Sequence, residues 1–143
     1  MQVSSRLVGL VNSSRGTGLA QKARIADSFA SRLAGLLIGP PLKQGEGLWL
    51  VPANGVHTMG MRYPIDILFL DRKHIVVACH PSLAPWRTAI PVAGAFSCLE
   101  LPAGTIAGTG TACGDQLRLE PVCADGACGV PAAACRPEQD YGR

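Results

Sequence analysis

Ile65-Asp66-Ile67-Leu68-Phe69-Leu70-Asp71-Arg72-Lys73-His74-Ile75-Val76-Val77-Ala78-Cys79 decides the fold class: two apolar runs rich in β-branched and aromatic side chains flank four polar residues. Each run is too short for a helix, and the polar break has the length of a hairpin loop, so the stretch predicts an antiparallel strand pair at the centre of a sheet. Similar runs lie on either side. Leu7 to Val11 and Ala23 to Ala26 flank the Ser- and Gly-rich turn Asn12 to Gly18 and predict an opening hairpin. Leu48 to Val51, Phe96 to Leu101 and Gln116 to Glu120 supply further strands, the last after the turn dipeptide Gly114-Asp115. One segment has the other period: Ser28 precedes Phe29, Leu33, Leu36 and Leu37, and Gly39-Pro40-Pro41 follows, which predicts a helix over Ser28 to Ile38. Gly35 inside that stripe predicts close approach to another backbone. The expectation is a mostly β (β-rich α+β) fold, a compact antiparallel sandwich or barrel-like sheet with one short amphipathic helix.

Composition agrees with this reading. The chain has 143 residues, 48% hydrophobic, with Gly 17 and Pro 11 marking many turns. A fold of this length hides roughly 68 to 70% of the surface its unfolded chain exposes, so disulfides are not required for a core. Residues 1–121 are expected to form one β-rich domain and 122–143 a flexible tail rich in Ala, Gly, Pro and Cys. No window approaches the roughly 20 apolar residues of a membrane span, and the apolar run Leu7 to Val11 is short for a secretory signal. A soluble, cytoplasmic location is therefore expected. Of the 13 Lys+Arg against 10 Asp+Glu, the excess falls in the first 39 residues, where Arg6, Arg15, Lys22, Arg24 and Arg32 are spaced singly with only Phe29 nearby, so nucleic acid is not an expected partner.

Of the six cysteines, Cys79 and Cys98 lie in apolar runs and read as small buried hydrophobes, while Cys123, Cys128 and Cys135 fall in the tail. No C-x-x-C pair occurs, and His57, His74 and His80 lack the spacing that puts two imidazoles on one ion, so neither a metal nor a cofactor is expected. Gly-x-Ser-x-Gly, phosphate-loop and dinucleotide-loop patterns are also missing. Cys79 beside His80 is discounted as a catalytic pair, because neighbouring strand residues point to opposite faces.

The anomaly is Asp66, a carboxylate inside an apolar run with no water-facing side. Burying it alone costs several kcal/mol, on the order of a lost ion pair, so a partner is required, and His57, Arg62 and Arg32 are the candidates. Glu100, between Leu99 and Leu101, repeats the oddity and shares its strand face with Phe96 and Cys98. If that face turns inward, Glu100 and Asp66 converge on one pocket, where two carboxylates with a His and Arg side chains suit acid/base work or the gripping of a small polar ligand.

The order of these pieces resembles the domain of unknown function family number 192. The likeness runs from Arg32-Leu33-Ala34-Gly35-Leu36-Leu37 through His57-Thr58-x-x-Met61-Arg62-Tyr63-Pro64-Ile65-Asp66 and Phe69-Leu70-Asp71. It continues through Pro85-Trp86-Arg87 and Leu99-Glu100-Leu101-Pro102-Ala103-Gly104 to Gly114-Asp115. It implies a β-rich sandwich or barrel with a short helix and no established activity. Ala53 follows Pro52 where the family often has Cys, so no thiol role in that loop carries over. Three classes of function stay open. The leading one is a domain that binds a small polar, carbohydrate-like ligand through His57, Thr58, Arg62, Asp66, Arg87 and Glu100. The others are a hydrolase or isomerase with Asp66 or Glu100 as general base and His57 as acid, and a non-catalytic accessory protein that contacts a protein partner.

Overall fold

The structure, a computed structural model, describes residues 6–27, 40–87 and 92–122. Strands β1 (Leu7–Asn12), β2 (Thr17–Ala26), β3 (Glu46–Leu50), β4 (Ile65–Leu70), β5 (Val76–Leu83), β6 (Ser97–Pro102) and β7 (Leu117–Pro121) build one seven-stranded sheet in the order β5-β4-β6-β3-β2-β1-β7. Between β6 and β7 runs the short helix α1 (Thr105–Thr109). The fold is mostly β, as the apolar runs predict, and it takes the barrel-like form: a single curled sheet with a core on each face.

Period-two alternation explains the two cores. Leu68 and Leu70 of β4, Leu99 and Leu101 of β6, Leu10 and Trp49 gather on one face, while Ile65, Ile67, Phe69, Leu48, Leu50 and Cys98 gather on the other. Strands β4 and β6 are buried on both faces, which is why they read as continuous apolar runs.

Curling brings the two edges together at one end. An isolated antiparallel bridge joins Ile75 to Gln116, and around it the Val76 amide donates to the Asp115 carbonyl at 2.9 Å and the Gly114 amide to the Val76 carbonyl at 2.8 Å. The loop before β7 thus closes a seam against the start of β5.

Two expectations need correction. The β4–β5 hairpin lies at an edge of the sheet, because β6 takes the other side of β4 along its whole length, from Ile65↔Pro102 to Leu70↔Ser97. The sheet is also not purely antiparallel. β2 and β3 pair in parallel from Lys22↔Glu46 to Ala26↔Leu50, and residues 27–45 connect them in the chain. The predicted helix Ser28 to Ile38 sits in that connection and lies outside the described residues, as does the tail from 123 onward.

Candidate functional site

Asp66 is fully buried, and its acceptors are filled by backbone rather than by side chains. The Ser82 amide donates to Oδ1 at 2.8 Å and the Ile106 amide donates to Oδ2 at 2.7 Å. Both amides are placed for it by local irregularity. The β4–β5 register shifts between Ile65↔Leu83 and Ile67↔His80, and Ser82 takes φ 48 in the resulting bulge. At α1, Gly104 occupies the N-cap with φ 95 and no side-chain cap, leaving the Ile106 amide for the carboxylate. Asp66 therefore fastens β4, the β5 bulge and α1 together. Neither His57 nor Arg62 is its partner; both are exposed.

Glu100 does not join it. Paired strand residues share a face, and the register Asp66↔Leu101 and Ile67↔Glu100 puts the two carboxylates on opposite faces of the sheet. The single pocket expected from the sequence is not formed. Glu100 is 4% exposed within the second core, its Oε2 has no hydrogen-bond partner, and burial pushes its carboxyl up to about 7. Tyr63 stands near it with its own hydroxyl buried, and burial followed by the Glu100 charge raises the phenol above its ordinary value, against the lowering effect of a hydrogen bond with the Leu42 backbone. Cys98, on the same face, is raised for the same two reasons in the same order.

Thr58, also fully buried, is a latch between two loops. Its hydroxyl donates to the Ala84 carbonyl at 2.7 Å and accepts from the Arg87 amide at 2.9 Å. Its own amide donates to the Arg87 carbonyl, and its carbonyl accepts from the Trp86 amide, both at 2.9 Å. Residues 57–59 and 86–87 are thereby held side by side. Around this latch His57, Arg62 and Arg87 are exposed, Met59 is 40% exposed, and Trp86 is 65% exposed with φ 62. No Asp or Glu occurs in 51–64 or 84–87.

Of the six residues picked from the sequence, His57, Arg62 and Arg87 are exposed, while Thr58, Asp66 and Glu100 are buried at separate places. Trp86 and Met59 were not among them, since nothing in the neighbouring sequence marks either side chain as exposed. A second network was also missed. Asp115 Oδ2 accepts from Arg15 Nε at 2.6 Å, Asn12 Nδ2 at 2.9 Å and the Ala112 amide at 2.9 Å, tying the β1–β2 turn to the loop before β7. Those bonds, Arg15 first, hold the Asp115 carboxyl down at about 2. Gly114-Asp115 was legible only as a turn. Among the described residues no three His, Cys, Asp or Glu side chains gather as a metal site.

Comparison with known proteins follows the same outline. Residues 10–119 match the model of the family DUF192, Uncharacterized ACR. A UPF0127 protein of Thermococcus sibiricus is 29% identical over 116 residues, which cover 78% of this chain and 74% of the relative. A UPF0127 protein of Pyrococcus horikoshii is 34% identical over 100 residues, covering 66% and 84%. The crystal structure of a protein of unknown function from Novosphingobium aromaticivorans superposes with a TM-score of 0.68 at 23% identity, covering 82% of this chain and 89% of that one, a likeness of fold.

Proposed function

The chain belongs to the DUF192 family of uncharacterised proteins, and on that premise we propose a binding domain whose working surface is the latched loop face of His57, Arg62, Trp86 and Arg87. The ligand class is a small acidic carbohydrate-like molecule, with a C–H face to stack on an indole and a carboxylate to engage guanidinium groups. The observation that supports this reading is Trp86: a large aromatic side chain 65% exposed, its amide bonded to the buried Thr58, next in the chain to the exposed Arg87. Ordering an exposed indole on a fixed backbone lowers the entropy lost on binding. Acid/base catalysis draws no comparable support, since both oxygens of Asp66 are taken by amides and Glu100 faces the other core.

Calorimetric titration with D-glucuronate, with glucose as the uncharged control, tests the reading. Binding of glucuronate is expected, and Trp86→Ala and Arg87→Gln should each weaken it by about tenfold, roughly 1.4 kcal/mol, without lowering thermal stability. Absence of saturable heat with glucuronate would overturn it. The exposed pair Met59 and Trp86 also favours a second reading, contact with a protein partner, since Trp and Arg anchor such contacts.

A further inference from the structure

The seam between the sheet's edges carries two thiols that no element of the proposed binding face uses. Cys79 projects from β5 beside the first core, and Cys113 sits in the turn between Ala112 and Asp115. Their sulfurs are 3.9 Å apart although the residues are separated by 34 positions, and Cys113 is exposed while Cys79 is partly buried. The backbones on either side are already bonded across the seam: the Gly114 amide to the Val76 carbonyl, the Val76 amide to the Asp115 carbonyl and the Leu117 amide to the His74 carbonyl. The seam thus already holds the two sulfurs near one another, and bond formation has to close the 3.9 Å separation to about 2 Å.

We propose that Cys79 and Cys113 are a reversible redox pair that forms a disulfide across the seam on exposure to a low-molecular-weight disulfide. The Cys113 thiolate attacks one sulfur of R–S–S–R, breaking that bond, forming Cys113–S–S–R and releasing RS⁻. Cys79 then attacks the Cys113 sulfur, forming the Cys79–Cys113 bond and expelling the second RS⁻. Two protein thiols are oxidised, one R–S–S–R is reduced, and the two protons lost by the protein end on two R–SH. Exposure sets the order. Cys113 meets solvent, whereas burial, and then the neighbouring Cys113 and Asp115, push the Cys79 thiol up to about 12. The bond encloses β6 and α1 in a covalent loop, so oxidation should fasten the edges of the curled sheet more strongly than the hydrogen bonds alone.

The full chain is incubated with oxidised glutathione, alkylated and digested with trypsin, and the peptides are sequenced by mass spectrometry. The expected product links the peptide His74–Arg87 to Thr88–Arg118, with fragment ions placing the bridge at Cys113 and not Cys98. The oxidised protein should melt about 5 °C or more above the reduced one, and dithiothreitol should reverse the shift. Cys113→Ser should abolish cross-link and shift together. Cys79→Ser should abolish both while leaving glutathione on Cys113, and its reduced-state melting point shows that the variant still folds. Persistent glutathione on Cys113 of the unaltered chain, or a bridge from Cys113 to Cys123, Cys128 or Cys135 in place of Cys79, would overturn the proposal.

Discussion

Asp66→Asn should be expensive, although it preserves the size and shape of the side chain. The carboxylate accepts one backbone amide on each oxygen, from Ser82 at 2.8 Å and from the buried Ile106 at 2.7 Å. Asparagine has one oxygen and one NH₂, so either orientation satisfies a single amide and sets a donor against the other. A hydrogen bond to a charged acceptor is worth roughly 1.5 to 3 kcal/mol, and a buried donor left unpaired costs about 1 to 3 kcal/mol more. The expected loss is about 3 kcal/mol. With a urea slope of about 1.5 kcal/mol/M, the unfolding midpoint should fall by about 2 M with the slope unchanged. Amide hydrogen exchange adds a local readout, because Ser82 or Ile106 should lose protection before the strands of the core do. A midpoint within about 0.3 M of the unaltered protein, or unchanged protection at both amides, would refute the anchoring role.

Glu100 gives a pH signature. Its carboxyl is raised from 4.5 to about 7 by burial, so the folded state holds the proton more tightly than the unfolded one. The stability it contributes is present below about pH 4.5 and is lost as pH rises through about 7, a change of about 3 kcal/mol. Glu100→Gln should flatten that slope in urea titrations between pH 4.5 and 8. Asp115 behaves oppositely: held down at about 2, chiefly by Arg15, it contributes stability above pH 3.8 that is lost as pH falls towards 2, so Asp115→Asn should weaken the acid dependence of the thermal midpoint in that window. Thr58→Val removes a donor to Ala84 and an acceptor for Arg87; it should lower stability by about 1 to 2 kcal/mol in urea unfolding and weaken glucuronate binding in calorimetry.

Most strands were legible because they are short runs of β-branched and leucine side chains between turn residues, and hairpin pairing such as β4 with β5 is local; β2 was read only at its end, Ala23 to Ala26, because Thr17 to Lys22 mixes small and polar residues. Strand order was not. Whether β6 or another strand flanks β4 depends on contacts between residues more than 25 positions apart, as in Ile65↔Pro102, and no local signal encodes them. The burial of Asp66 followed from its neighbours, yet its partners are backbone amides positioned by a bulge at Ser82 and an uncapped helix start at Gly104, which no side chain advertises. Period two placed Glu100 on the Cys98 face correctly, but only the register with β4 reveals that Asp66 faces the other way. Trp86 illustrates the same limit, since its exposure depends on a left-handed backbone at φ 62 held by Thr58.

The central claim is that the latched loop face takes an acidic carbohydrate-like ligand, and nitrogen–proton correlation spectra test it most directly. The chain has two tryptophans, Trp49 in the core and Trp86 on the face, hence two indole N–H signals that Trp86→Phe assigns. Titration with D-glucuronate should move the Trp86 indole signal and the amides of 57–62 and 86–87 in a saturable way while the Trp49 signal stays fixed. A stationary Trp86 signal at saturating concentration, or shifts that cluster elsewhere on the sheet, would contradict the account.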